Sequence, residues 1–293
     1  MAAQQTEHSP YDCSTAEEAF DDWRRKTLWA HVLGGAGIVV ATWVYLAQTR
    51  QTFAGFLLLL VVTAGIAVAV AWCANRLWAD VVGIAARDCD PQKCLEVVDR
   101  VTKMRRGRGF ANTSDLAYAA CSQLLGYDDI ALAWAEKASE NAPRPAHWVQ
   151  IIGVRLDVAI RARDWRRVQQ LRDQALQLAH DLEDPHGTDR LVSAQLQDLA
   201  RDLVSQANEG LYRANGNWSA ALEEVGRLEA GVDTPLAEME NAMRRAKVLE
   251  LVGMPQLARG QYELVAAGAG TCAMRAEAQR WLDAHPRPEV TQA

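Results

Sequence analysis

The sequence predicts an all-α chain in which a transmembrane helical hairpin is followed by an α-solenoid of helix-turn-helix units. Three observations carry this. Two apolar runs, 27–47 and 53–73, are each 21 residues long and contain no Asp, Glu, Lys or Arg. Beyond Arg76 the apolar residues recur with helical periodicity, and Pro and Gly fall between helices rather than between strands. One turn-plus-helix pattern then returns at regular intervals down to the C-terminal region.

The runs come first. At about 1.5 Å per residue, each makes a helix of about 30 Å, the thickness of a bilayer core. A secretory signal does not fit, because the residues ahead are long and acidic, with Glu17, Glu18, Asp21 and Asp22. Arg24, Arg25 and Lys26 precede the first run and Arg76, Arg87 and Lys93 follow the second, while the connecting loop carries Arg50 alone. The positive-inside rule therefore places both termini in the cytoplasm, in a multi-pass protein of the cytoplasmic membrane. Trp29, Trp43, Tyr45, Phe53, Trp72 and Trp78 sit near the run ends, as an aromatic belt requires. His31 lacks a second ionisable group in either run to relay a proton, which points to an interfacial polar residue. Gly34, Gly35, Gly37 and Gly65 offer small faces, for packing within the hairpin or for dimerisation.

Composition bounds the rest. The chain has 293 residues, a net charge of −6 and a pI near 5.6, which argues against nucleic acid as a partner. A mean hydropathy of −0.15 despite two apolar runs makes the remainder polar. Six scattered Cys without a CxxC pair suit a reducing compartment. The expected organisation is a polar cytoplasmic tail over 1–26, a hairpin over 27–76, a helical domain over 77–284 and a flexible tail over 285–293. The tail before the hairpin is expected to be flexible, with a short helix near its end.

In the helical domain the most telling stretch is Gly126-Tyr-Asp-Asp-Ile-Ala131-Leu-Ala-Trp134-Ala-Glu-Lys-Ala138, ending at Pro143. Small residues at positions one helical face apart let two helices approach closely, and Pro stops the second helix. This stretch resembles the second half of a tetratricopeptide repeat, which carries Gly at the turn, two small packing residues and a terminal Pro. Equivalent positions are Cys94, Ala131, Val168, Ala221 and Ala258, separated by 37, 37, 53 and 37 residues. The resemblance covers about 77–284. It departs from the family period of about 34 residues. The long interval predicts an oversized helix over about 188–214, in which the position expected to be small holds Glu209. A helix over about 271–284 is expected to cap the stack. Nothing interrupts the junction after the second run, so that run should continue unbroken into the first helix of the repeat domain.

No HExxH, phosphate-binding glycine loop, GxSxG or zinc spacing occurs, and no catalytic residue, metal ligand or cofactor is expected. His180 and His186, with Asp181 and Asp184, read as a solvated loop. The basic groups Lys103, Arg105, Arg106, Arg108 and Arg161, Arg163, Arg166, Arg167 read as solvated helix ends or as contacts to anionic lipid. The resemblance implies that partners lie against the first helix of each pair. Carried over unit by unit, the partner-facing positions are Gln123; Gln150, Asp157 and Arg161; Gln206 and Arg213; and Glu240, Lys247 and Glu250. The expected function is a scaffold or adaptor, not an enzyme, that holds a protein or peptide partner at the lipid bilayer on the cytoplasmic side. Self-assembly into a structural element is the alternative.

Overall fold

The computed structural model describes residues 9–47, 52–104, 108–140, 142, 144–183 and 190–286. Among them the chain is all-α, with twelve helices and no strand. Helix α1 (Ala16–Ala47) opens on a capping box, in which the Thr15 backbone N–H donates to Glu18 Oε2 at 2.8 Å and the Glu18 N–H to Thr15 Oγ1 at 3.2 Å. Helix α2 (Phe53–Arg87) is capped by Thr52, whose side chain accepts from the Gly55 N–H at 3.1 Å. The two lie antiparallel. Gly34 faces Val70, Gly37 faces Ile66, and the Tyr45 and Phe56 rings are 6.4 Å apart.

Both helices are long and apolar enough to cross a membrane, and no Leu, Ile, Val, Phe or Trp of the runs 27–47 and 53–73 is buried. Leu33, Val39, Trp43, Leu58, Val61 and Val68 all face outward. The 35 residues of α2 span about 52 Å, well beyond the bilayer core of about 30 Å. As expected, the helix passes without a break into the polar domain, where Val81 and Ile84 are fully buried.

Ten further helices follow: α3 (Pro91–Met104), α4 (Arg108–Leu124), α5 (Asp128–Ser139), α6 (Pro145–Arg161), α7 (Trp165–Asp181), α8 (Arg190–Ala214), α9 (Trp218–Ala230), α10 (Pro235–Leu251), α11 (Pro255–Gly268) and α12 (Ala273–Ala284). Each packs on the next. The oversized helix expected over 188–214 is α8, and the final helix expected over 271–284 is α12. Cys94, Ala131, Val168, Ala221 and Ala258 lie on α3, α5, α7, α9 and α11, and all five are fully buried.

One turn geometry joins these pairs. A left-handed residue stands five positions before every anchor: Cys89 (φ 52°), Gly126 (φ 80°), Arg163 (φ 57°), Gly216 (φ 73°) and Gly253 (φ 81°). In four of the turns the next residue's N–H reaches back to close the helix end: Tyr127 to Ser122 at 2.8 Å, Asp164 to Ala159 at 3.0 Å, Asn217 to Tyr212 at 2.9 Å and Met254 to Leu249 at 2.9 Å. Cys89 and Arg163 adopt at a cost of about 1–2 kcal/mol what glycine adopts freely.

Two features depart from the expected organisation. The tail over 1–22 is expected to be flexible with a short helix near its end, but its described residues from Ser9 onward, with Trp23 after them, are packed against the domain. Tyr11, Ala19 and Trp23 are buried, Asp88 accepts from the Ser9 N–H at 2.8 Å and from its hydroxyl, and Lys93 Nζ donates to the Tyr11 carbonyl. Ala19, Trp23 and Thr27 are buried at four-residue spacing on α1, so one face of its polar start covers α2 and α3. The helices also do not run on as an open stack, because α10 packs on α2. The Thr271 N–H donates to the Cys89 carbonyl at 3.0 Å and its hydroxyl to Asp90 Oδ1 at 2.8 Å. A short stack has an uncovered apolar face at each end, and here the two ends cover each other. Cys89, Cys94, Cys121 and Cys272 are buried around this closure as free thiols.

Candidate functional site

The return of the last helices onto the first turns a row of helix ends into the wall of a cavity. Its volume is about 130 Å³. The C-terminal turns of α4, α6 and α8, the middle of α10 and the first turn of α12 line it. Gly210 lets α8 approach α6, since a Cβ there would stand 3.4 Å from Ile160. At the mouth of the α4–α5 turn, a Cβ on Gly126 would stand 3.1 Å from Ala273 of α12.

The wall is charged. Its acids are Asp157, Glu209, Glu240 and Glu277, and its bases Arg161, Arg213, Arg244 and Lys247. Arg161 is directed outward and clamps Asp128, with Nη2 at 2.5 Å and Nε at 3.2 Å from Oδ1. Lys247 Nζ lies 2.8 Å from Glu277 Oε1. Asp157 accepts from Gln123 Nε2 at 2.9 Å, and its nearest cation is Arg244 at 3.9 Å. Glu240 lies 3.5 Å from the same guanidinium, whose Nη1 donates to Asn241 at 2.8 Å.

Glu209 is the most enclosed of the set, at 1% exposure. Its Oε1 is 3.1 Å from Arg213 Nε but out of line for a hydrogen bond, and neither atom has another hydrogen-bond partner among the described residues. Burial raises the proton affinity of three carboxylates. Asp157 and Glu209 are raised above their ordinary values, with nearby Arg244 and Arg213 opposing the shift, and Glu240 is raised to about 7.

No family model, curated protein or solved structure matches the chain.

The structure brings six of the nine expected partner-facing residues to this one cavity: Gln123, Asp157, Arg161, Arg213, Glu240 and Lys247. The other three lie elsewhere. Gln150 is exposed near the start of α6, Gln206 is half-buried one turn before Arg213's neighbours, and Glu250 accepts from the Tyr262 hydroxyl at 2.9 Å. Three charged wall residues, Arg244, Glu209 and Glu277, were not among the expected partner-facing positions. Arg244 was legible as the i+4 partner of Glu240 on one helix face. Glu209 was legible as a carboxylate where the helix pair calls for a small residue. Glu277 carried no local signal, because α12 reaches the cavity only through the closure. His180 pairs with Glu183 at 3.3 Å, while Asp184 and His186 lie outside the described residues, as do Arg105, Arg106 and Pro143.

Proposed function

We propose that this chain is a membrane-anchored adaptor: a cytoplasmic-membrane hairpin with both termini inside, carrying a tetratricopeptide-like repeat domain that holds a protein partner at the cytoplasmic surface through the charged cavity. The observation that carries it is the convergence of six family-expected positions, from α4, α6, α8 and α10, on one wall. The repeat resemblance is supported by the buried anchors and by the left-handed residue five positions before each of them. Membrane residence is supported by apolar windows that face outward rather than into a core. The orientation rests on the basic residues that flank the hairpin.

A cavity of this size takes a side chain or a chain end of the partner, not a whole helix. Its lining of acids, cations, Gln123 and apolar residues offers ion pairs, hydrogen bonds and apolar contact to a bound group. The test is a photo-crosslinking residue placed at Met274, which lines the cavity, beside one placed at Glu96 on α3. Cytosolic adducts at Met274 that are absent at Glu96 are the expected result. Equal adducts at both positions, or none, overturn the adaptor reading.

Self-association is the second reading, and one observation favours it. Gly35 and Gly65 face open space, where an added Cβ would meet nothing within 4 Å, so a small face remains after the hairpin has packed. Adducts between two copies from a crosslinker at Gly35 would select it.

A further inference from the structure

The wall itself holds four acids and four bases, but Asp128, which Arg161 clamps, adds a fifth acid. Arg161 is committed to Asp128 and Lys247 to Glu277. What remains is three carboxylates, Asp157, Glu209 and Glu240, facing two guanidinium groups, Arg213 and Arg244. Arg244 is shared between Glu240 at 3.5 Å and Asp157 at 3.9 Å. Glu209 has an enclosed oxygen that accepts nothing among the described residues. A buried ion pair that is out of line for a hydrogen bond costs a protein stability. A wall that keeps such a pair, Glu209 with Arg213, and is short of a positive charge is arranged for a cation from outside.

We infer that the cavity is a receptor for a single organic cation, an alkylammonium or guanidinium group, which lies among Asp157, Glu209 and Glu240 and supplies the positive charge that they lack. The inference rests on the adaptor reading for its physiological source, a Lys or Arg side chain of the partner; a free amine would satisfy the same chemistry. The apolar part of the lining, Leu124, Ile160, Met243 and Met274, suits the methylene stem of such a group while its charged head reaches the acids. An anion fits poorly. It would have to draw Arg161 from Asp128 or Lys247 from Glu277 while lying against three carboxylates. Glu209 also explains a departure in the repeat itself: the position that should be small in α8 carries the acid that the ligand needs.

The test is titration calorimetry on the full chain in zwitterionic nanodiscs, with three probes: Nα-acetyl-lysine methylamide, its Nε-acetylated form, and 1,4-diaminobutane. The unmodified lysine derivative is expected to bind saturably and its neutral Nε-acetylated form to fail. Glu209→Gln keeps shape and removes charge, and it should weaken binding about tenfold or more, the worth of one charge-assisted hydrogen bond. Glu223→Gln, on the exposed face of α9, should leave binding unchanged. Tighter binding of the lysine derivative than of the diamine assigns the site to a side chain, and the reverse order assigns it to a free amine. Both orders support the cation site. Equal binding of the neutral probe, no saturable binding of any probe, or no loss in Glu209→Gln despite an unchanged helical spectrum overturns it. The crosslinks at Met274 report separately: adducts that persist in Glu209→Gln leave the adaptor standing and remove the cation, whereas cation binding without adducts does the opposite.

Discussion

The hairpin and the helical domain are both made of long helices packed side by side, yet they obey opposite rules. In the hairpin the large apolar side chains point outward and the contact between helices is small, with Gly34 admitting Val70 so closely that a Cβ would stand 2.4 Å from its Cγ2. In the domain the small and apolar residues are inside, and the buried acids Asp115, Glu209 and Glu224 each lie beside a cation, Glu209 in the cavity wall. The difference is the one expected if the hairpin meets lipid tails and the domain meets water. Lipid tails reward apolar surface and give little drive between helices beyond close packing, while water drives apolar faces together and leaves charge outside unless it has a purpose.

The sharpest break of this comparison is one substitution made in both regions. Val61→Arg, on the outer face of α2, should cost about 3 kcal/mol of insertion, and most of the protein should leave the membrane fraction on alkaline extraction. Leu257→Arg, equally exposed but on α11, should change domain stability by no more than about 0.5 kcal/mol. If both variants stay in the membrane, the outward apolar face of α2 is not a lipid face.

Next in size is the closure that only the domain possesses. Gly270 has φ 49°, and a Cβ there would stand 2.1 Å from the Cys89 carbonyl oxygen. Gly270→Ala should therefore destabilise the domain by about 2 kcal/mol and speed thiol labelling of Cys89 and Cys272, with the hairpin unaffected. Labelling at the wild-type rate would show that the two ends do not cover each other.

The smallest effect is a gain. Arg163 holds a left-handed turn that Gly holds in three sister turns. Arg163→Gly should raise the unfolding midpoint, by about 1 kcal/mol of stability at most, since relief of strain is partly offset by the entropy of glycine. A lower midpoint would mean that the Arg side chain does more for the turn than its backbone costs.

Much of the architecture was legible in the chain because it is local. The apolar runs announce their own helices, α2 continues because nothing between Cys73 and Arg87 stops it, and the five anchors sit where two helices must touch. The turn glycines at 126, 216 and 253 were visible, while Cys89 and Arg163 were recognisable as their equivalents only once the register was known. The site was partly legible for the same reason. Gln123, Asp157, Arg161, Arg213, Glu240 and Lys247 share a helix face with their own unit's core, so periodicity places them. Gln150, Gln206 and Glu250 share those faces too, but periodicity does not say how far along a helix its neighbours lie.

By itself, then, the sequence determined which segments are helices, which of them are long and apolar enough to cross a membrane, and where consecutive helices meet. Those properties depend on residues within a turn or two of each other, or on adjacent pairs joined by one kind of turn. The tertiary structure alone decided that residues 9–26 cover α2 and α3, that Thr271 bonds Asp90 across 181 positions, and that Glu277 therefore stands in the cavity wall. Such contacts depend on the summed small rotations of every helix between them, an accumulation that no local pattern records.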